Sequence, residues 1–416
     1  MPLIAAGGMA KDAVLLYNVQ EIEIHHLAIT NHGKGIAVRR GVDIVADNYG
    51  TAHHIVIDDL YIHNVNGTEA QKDDGGIVFQ TLGPRIPSRF DDLEIERNIL
   101  WKVDRSGIVG ESSNVKRTRW FPSLNVVIAD NYVDDIGGDG IVPWATEDAV
   151  VDGNVARDCN QRSQEYNAAI WEWSSDYTLF TMNEAFDTRG TRDGEGFDSD
   201  YNSRGTYFYR NFSHNNDGGF MLICTPVRRN GEDNAGNTHS IILENISHDD
   251  NGLLINLSGA HDVLVAKNTF FVGPDHNVQF ITSDWNGWST DAWFIDNHFF
   301  VQGTLSFGHS VKRLSDGSYH IAPGWGGASN IHFVGNGYAG TVINWPIHSG
   351  PEKIGNSPRV HISWSSEPMF NPRYPLKYPA YLASHHAWMV KLFQKEYPLT
   401  RLRSTPSLPT FSSPGA

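Results

Sequence analysis

Short runs in which apolar and polar residues alternate return along the chain, each closed by a residue that is nearly always asparagine. They read LEIERN (Leu93 to Asn98), VVIADN (Val126 to Asn131), VVDGN (Val150 to Asn154), then LFTMN, YFYRN, IILEN, LVAKN, WFIDN and HFVGN. Two earlier copies, IEIHHL and IVIDDL, carry Leu27 and Leu60 at the asparagine position. From Leu27 to Asn268 the closing residues lie 23 to 38 residues apart. A repeat of that length signals a solenoid, and period-two alternation dominated by Val, Ile, Phe and Tyr makes its unit a strand.

A second phrase, a small residue followed by an apolar one, falls between the asparagine phrases: GIAV, GIVF, GIVG, GIVP, AIWEW, GFDSD, GFMLI and GLLIN. Each turn of the chain therefore holds at least two short strands. A single rung cannot bury both of its faces, so rungs stack in parallel, with the asparagines forming an amide ladder inside one corner. The pattern predicts an all-β fold, a right-handed parallel β-helix, over residues 1–366. Eleven copies at about 4.8 Å per rung would make a rod roughly 50 Å long. From about Glu367 the repeat fades, and residues 367–416 read as a tail with a short helix at Ala380 to Tyr397 that would cover the last rung. The chain enters a strand-like phrase almost at once, so an N-terminal leader and cap are expected to be missing.

Laid over each other on the small-apolar phrase, the rungs alternate in and out. The first outward column then runs Ala37, Val78, Val109, Val142, Trp171, Asp198, Met221, Leu254, and the second runs Arg39, Gln80, Glu111, Trp144, Trp173, Asp200, Ile223, Asn256. Acids, amides and three indoles gather at the middle of one outer face. A sugar-binding groove needs that mixture, flat aromatic platforms for ring faces and polar ends for hydroxyls. Within it Asp198 and Asp200 stand two residues apart in GEGFDSD, where the sister rungs carry mostly apolar or amide side chains. Outward acids also serve solubility alone, and the indoles could simply cover a loop.

Glu172 depends on the alignment. On the small-apolar phrase it points into the core, at a cost unless paired; on the asparagine phrase it stacks on Asp200. The first is preferred because Gly140 and Ala169 both lie 14 residues before their asparagines, and Glu172 stays a reserve candidate. Asp193 and Glu195 add acid in the preceding turn, with Asp139 at the Glu195 position two rungs earlier. His214 and Asp217 (SHNNDGG), and His248, Asp249 and Asp250 (SHDDNG), border the same edge, although turns favour such residues for backbone reasons. Arg192, Arg204, Arg228 and Arg229 could balance the acids or grip an anion.

Carboxylates at i and i+2 on a strand sit about 6.5 to 7 Å apart at the backbone, and side-chain rotation spans both separations used by glycosidases, roughly 5 Å and 6.5 to 9.5 Å. Both stereochemical outcomes therefore stand. The acid in drier surroundings, Asp198 beside Trp171 and Met221, is expected to be the proton donor, and Asp200 the base or nucleophile, with Glu195 and Glu172 in reserve. Trp144, Trp171, Trp173, His214, Asp217, Glu111 and Arg228 are the expected substrate-binding side chains.

Composition narrows the partners. With 416 residues, 40 glycines and 11% aromatics the chain can bury one long core. A formal net charge of −16 disfavours nucleic acid. Two cysteines, Cys159 and Cys224, give neither a disulfide framework nor a zinc pattern, and no apolar run is long enough to span a bilayer.

The repeats, the asparagine ladder, NAAIWEWSSDYT (Asn167 to Thr178) and the run from Asp193 to Cys224 resemble bacterial right-handed parallel β-helix proteins of the pectate-lyase-like superfamily. The resemblance covers roughly residues 11 to 365 and is nearest to carbohydrate-active members, more distantly to β-helix hydrolases of fucosides or xylans. It implies a glycan bound along one parallel sheet with paired aspartates midway, matching Asp198 and Asp200. The NTD, DD and GHG set typical of polygalacturonases is missing. The expectation is a secreted or periplasmic monomer hydrolysing a plant or algal polysaccharide or oligosaccharide without a cofactor. Two alternatives remain: a polysaccharide lyase with Ca²⁺ held by Asp193, Glu195, Asp198 and Asp200, and a non-catalytic glycan-binding solenoid.

Overall fold

Three parallel sheets wind around one apolar core in the computed structural model, which describes residues 1–190, 192–225, 236–282, 288–306, 311–313, 319–321, 327–343 and 353–355. Each turn contributes one strand to each sheet. Strands such as Gly75–Leu82, Ser106–Ser112, Ile170–Glu172, Glu195–Ser199, Gly219–Cys224 and Leu253–Ser258 stack in register to form the first, which carries the acids. The asparagine phrases form the second, for example Arg89–Glu96, Ser123–Ala129, Val150–Asp152 and Leu179–Thr181. The third contains Ile99–Val103, Tyr132–Ile136, Val155–Arg157, Glu184–Phe186 and Phe212–His214. First and third sheets merge at His298–Ser306, which pairs with both Thr269–Val272 and Asn277–Thr282. The fold is thus the all-β parallel β-helix that the repeat predicts. The expected C-terminal helix and tail lie outside the described residues, and among those described no helix is long and apolar enough to cross a membrane.

The asparagine ladder is continuous. Asn98, Asn131, Asn154, Asn183, Asn211, Asn245, Asn268, Asn297 and Asn336 are all buried, and each side-chain Nδ2 donates to the Oδ1 of the next at 2.9–3.0 Å. The same Oδ1 also accepts the preceding backbone N–H, as from Asn154 to Asn183 at 3.0 Å. Residues just before the corner are forced into the left-handed region (Arg97, Asp130, Met182, Arg210), which leaves backbone groups that only a side-chain amide can reach. At the N-terminal end the Leu60 N–H caps the ladder on Asn98 Oδ1 at 3.0 Å. Rings stack inside the coil at rung spacing, Phe180 on Phe208 at 4.7 Å and Phe270 on Phe299 at 4.7 Å.

Register corrects the outward columns at both ends. The strand Arg40–Asp47, not GIAV, supplies the early rung: Val42 pairs with Ile77, and Asp43, not Ala37, precedes Val78 in its column. Arg39 is likewise outside the second column, where Val45 pairs with Gln80. Gly41 takes the tight corner, where a Cβ would meet the Gly76 carbonyl at 2.5 Å. Further on, Glu195 pairs with Gly219 and Phe197 with Met221. Met221 therefore faces the core, and Leu222 and Asn256, not Met221 and Leu254, continue the column of Asp198. The glycine in GFMLI sits one step early because the bulky Phe220 fills the interior of that corner.

Candidate active site

The column Val78, Val109, Val142, Trp171, Asp198 is fixed by strand pairing. Its three valines are fully buried although they lie on the outer side of the sheet. The column stays buried through Trp171 and Asp198 to Leu222 and Asn256, so only half-buried neighbours such as Trp144, Trp173, Asp200 and Tyr201 bring this face to solvent. Trp144 and Trp173 face each other in a stack with centroids 5.0 Å apart and an 11° interplanar angle, and Tyr201 leans on Trp173 at 4.8 Å. Both indoles and Tyr201 are half-buried; because Trp173 has Trp144 on one side and Tyr201 on the other, it is ring edges that border the acids.

Trp171 is different: it is 2% exposed, lies edge-on to both neighbours, and donates Nε1–H to Asp139 Oδ1 at 2.9 Å. It is a support under the platform, not a platform.

Four acids converge after the turn. Asp198 is 4% exposed and Glu195 is equally covered; Asp198 Oδ1 and Glu195 Oε2 have no hydrogen-bond partner. Burial, then the neighbouring Asp200 for Asp198 and Asp193 for Glu195, pushes both carboxyls well above their ordinary values. Asp193 and Asp200 are half-buried and reach the surface. Burial and the charge of Asp200 raise Asp193 to about 7. Asp200 rises only to about 6, because burial is opposed by the Cys224 thiol and the Tyr201 N–H, which donate to its Oδ1 at 2.9 and 2.7 Å, and by the charge of Lys72. Backbone pairing holds the carboxylates in place: Asp193 bridges Asn167, and the Asp200 N–H donates to the Glu172 carbonyl at 3.1 Å.

Several expected residues stand elsewhere. Glu172 pairs with Ser199, not Asp200, and is fully buried inside the coil. Its Oε1 accepts from Thr206 and from Ser199, the latter at 3.3 Å, while Oε2 is unpaired. Burial lifts its carboxyl from 4.5 to about 8 against those hydroxyls. Such a group holds a proton in the folded state that the unfolded chain releases, so its contribution to stability is present below pH 4.5 and lost as pH rises toward 8. Glu172→Gln is therefore expected to leave the thermal midpoint unchanged at pH 4.5 and to raise it progressively at pH 6 and 8. A constant difference across that range would refute a neutral buried Glu172.

His214 lies on the third sheet, stacked between Phe186 and Phe212 at 4.4 and 4.5 Å, with Nε2 3.2 Å from Glu184. Its ring is a wedge in that face, because residues of Phe212–His214 alternate and Ser213 takes the inward place beside Gly196. The Asp217 carboxylate is held by Arg189 at 3.0 Å. Glu111 pairs with Gln80 in Ser106–Ser112, which Ile141–Val142 and Ile170–Glu172 separate from the acids. Burial and the charge of Asp73 raise it to about 7, away from the cluster. Arg228 lies outside the described residues. Among the described residues no group of three or more His, Cys, Asp or Glu is arranged to hold a metal ion, so the four acids do not form the expected calcium set.

Nothing in the repeat pattern points to Lys72, Tyr201 or Cys224 at this site. They reach it from a loop two to four rungs away, from the turn after the strand, and from the next rung, and none carries a motif.

No protein-family profile matches the chain. In sequence it is 27% identical over 313 residues to a lacto-N-biosidase of Bifidobacterium longum subsp. longum, a match covering 64% of this chain and 19% of that protein. Among solved structures it is similar to the GH136 lacto-N-biosidase from Eubacterium ramulus. The native form aligns with TM-score 0.55 and 28% identity over 65% of this chain and 52% of that one, and the selenomethionine form with 0.59 and 27% over 72% and 56%. The chain spans less than two thirds of the length of each. The fold shared with them is the parallel β-helix.

Proposed function

We propose that this chain carries the active site of a glycoside hydrolase, with Asp193 as general acid and Asp200 as the carboxylate that activates water or attacks C1. The observation that carries this is the division within the acid cluster. Two carboxyls, Glu195 and Asp198, are sealed and pushed by burial well above their ordinary values, whereas Asp193 and Asp200 reach the surface with raised values of about 7 and 6. Between those values the pair shares about one proton, the state that glycosidic cleavage needs. This moves the proton-donor role from Asp198, which the sequence favours, to Asp193, because a sealed carboxyl cannot reach a leaving oxygen.

The edges of the stacked Trp144 and Trp173 give a sugar an apolar border next to the acids. The column is buried on both sides of the acids, with Val142 before them and Leu222 and Asn256 after them, which supports binding of a short glycan over a long chain threading past. The similarity to lacto-N-biosidases supports the same choice: an oligosaccharide substrate of the type those enzymes are named for, ahead of a plant or algal polysaccharide. It also favours hydrolysis over lyase chemistry, and a site outside the cytoplasm fits such a substrate.

The test is a panel of oligosaccharides and polysaccharides, including lacto-N-biosidase substrates, read for reducing ends and for absorbance near 235 nm. Reducing ends alone support the proposal; absorbance indicates a lyase, and neither leaves a binding solenoid. Trp173→Ala is expected to raise KM about tenfold, through loss of its apolar edge and of the ring that props Trp144 and Tyr201, with a smaller change in kcat. Steady-state kinetics would decide it, and an unchanged KM removes Trp173 from the binding surface.

A further inference from the structure

Asp139 is completely buried and yet holds two cations. Its Oδ2 lies 2.8 Å from Lys72 Nζ and 2.9 Å from Arg105 Nη1, and its Oδ1 accepts the Trp171 indole N–H at 2.9 Å. Burial alone would raise this carboxyl, but Lys72 and Arg105 together bring it below its ordinary value, so Asp139 is ionised. One buried carboxylate needs one buried cation. Arg105, 1% exposed, meets that need. Lys72 is surplus.

The position of Lys72 gives the surplus charge a use. It comes from the loop preceding Gly75–Leu82, 67 residues from Asp139. Besides Asp139 it donates to the Tyr166 carbonyl at 2.7 Å and lies 4.6 Å from the centroid of the Trp171 ring. Trp171 pairs with Asp198 on the adjacent strand, and Tyr166 immediately precedes Asn167, which bridges Asp193. The ammonium is thereby fixed at the edge of the acid cluster. Its side chain is one-quarter exposed, so its field is only partly screened by water.

We propose that Lys72 is a positioning residue for the acid pair: pinned by Asp139 and the Tyr166 carbonyl over Trp171, it supplies the positive charge that lets one carboxylate of the cluster remain ionised. This deepens the reading of Asp193 and Asp200 as the working acids and rests on it. The charge of Lys72 opposes the upward shift of Asp193, Asp198 and Asp200 alike. The other groups facing this region are Glu195 and Cys224 beside the cluster, Arg105 across Asp139, and Asp73 and Asp74 on its own loop. Asp73 is paired with Arg40, and burial followed by the charge of Asp73 raises Asp74 to about 7. Arg192, beside Asp193 in the chain, is the other nearby cation; it is exposed, with its guanidinium 5.3 Å from the Tyr166 ring centroid, so water screens its field, whereas Lys72 is pinned by the buried Asp139. A field that favours the ionised form over the neutral one sets the pH at which the pair works without touching the substrate.

The test titrates the carboxyl carbons of aspartate-labelled protein by NMR, assigned with Asp193→Asn and Asp200→Asn, in the unmodified chain, Lys72→Met and Lys72→Arg. Lys72→Met keeps the aliphatic stem on Trp171 and removes the charge; it is expected to raise the apparent midpoints of Asp193 and Asp200 by about one pH unit. Lys72→Arg should restore them. Should the methionine disturb packing, seen as a lowered thermal midpoint, Lys72→Gln repeats the measurement with a donor left for Asp139. Unmoved midpoints in the uncharged variants, or an equal shift in Lys72→Arg, would overturn the proposal. In the pH–rate profile both limbs should move upward by the same amount, the acid limb with Asp200 and the alkaline limb with Asp193. Absence of hydrolysis on every glycan would instead count against the functional reading alone, since the titration does not depend on activity.

Discussion

Asp200→Asn is expected to lower kcat/KM by about three orders of magnitude, and Asp193→Asn by about two to three, with the fold intact in both. The estimate follows from the worth of a positioned acid or base, about 10²- to 10⁴-fold. The larger loss falls on Asp200 because an amide can neither attack nor accept a proton, whereas a leaving group of low basicity departs with little help from Asp193. Asp198→Asn, by contrast, replaces a sealed carboxyl with a near-isosteric amide and should cost less than about tenfold. The three variants together separate the two readings of GEGFDSD. A profound loss in Asp198→Asn with near-normal Asp193→Asn would return the proton donor to Asp198. In the unmodified enzyme activity should peak between the raised values of Asp200, about 6, and Asp193, about 7: below that window Asp200 is protonated, above it Asp193 has lost its proton.

The second large effect belongs to the scaffold. Asn183 accepts the backbone N–H of Asn154 at 3.0 Å and its Nδ2 at 2.9 Å, and donates to the Val151 carbonyl and to Asn211 Oδ1, both at 2.9 Å. Asn183→Ala removes both of its roles and strands buried partners on either side, where no water replaces them. At about 1–3 kcal/mol for each buried group left unsatisfied, a loss of roughly 3–5 kcal/mol is expected. Denaturant unfolding should show it as a lowered midpoint. Because rungs contact only their neighbours, hydrogen exchange should show the loss spreading from Leu179–Thr181 to Val150–Asp152 and Tyr207–Tyr209 before the chain ends are affected. A loss below about 1 kcal/mol would mean that the ladder contributes little net stability. Asn183 sits on the corner opposite the acids, so activity at low temperature should be retained.

The sequence by itself determined the coil. Period-two alternation says strand, the recurring asparagine says which corner must satisfy backbone groups from within, and a repeat of 23 to 38 residues leaves stacking in parallel as the way to bury every rung. Those are local demands, written into each turn, and Asn98 to Asn336 meet them as expected. The same logic placed Glu172 inside the coil and put Trp171 beside Asp198, since both follow from counting along one strand.

What counting could not supply was exposure and company. Asp193, Asp198 and Asp200 are equally acidic as letters; only the stacked neighbours and turns decide that Asp198 is sealed while the other two reach the surface. Where another glycine takes the corner, Gly41 in place of Gly35, or a bulky side chain does, as at Phe220, the register differs from the phrase and the columns drawn from glycine alone fail at both ends. His214 went to another sheet because its spacing from the acids along the chain crosses a corner. Lys72 and Asp139 meet over 67 residues, a contact that depends on how far a loop reaches across rungs, and no periodicity encodes that distance. Strand pattern is a nearest-neighbour property of the chain, whereas the state of a carboxyl depends on every charge and every water within several ångströms, and only the assembled solenoid brings those together.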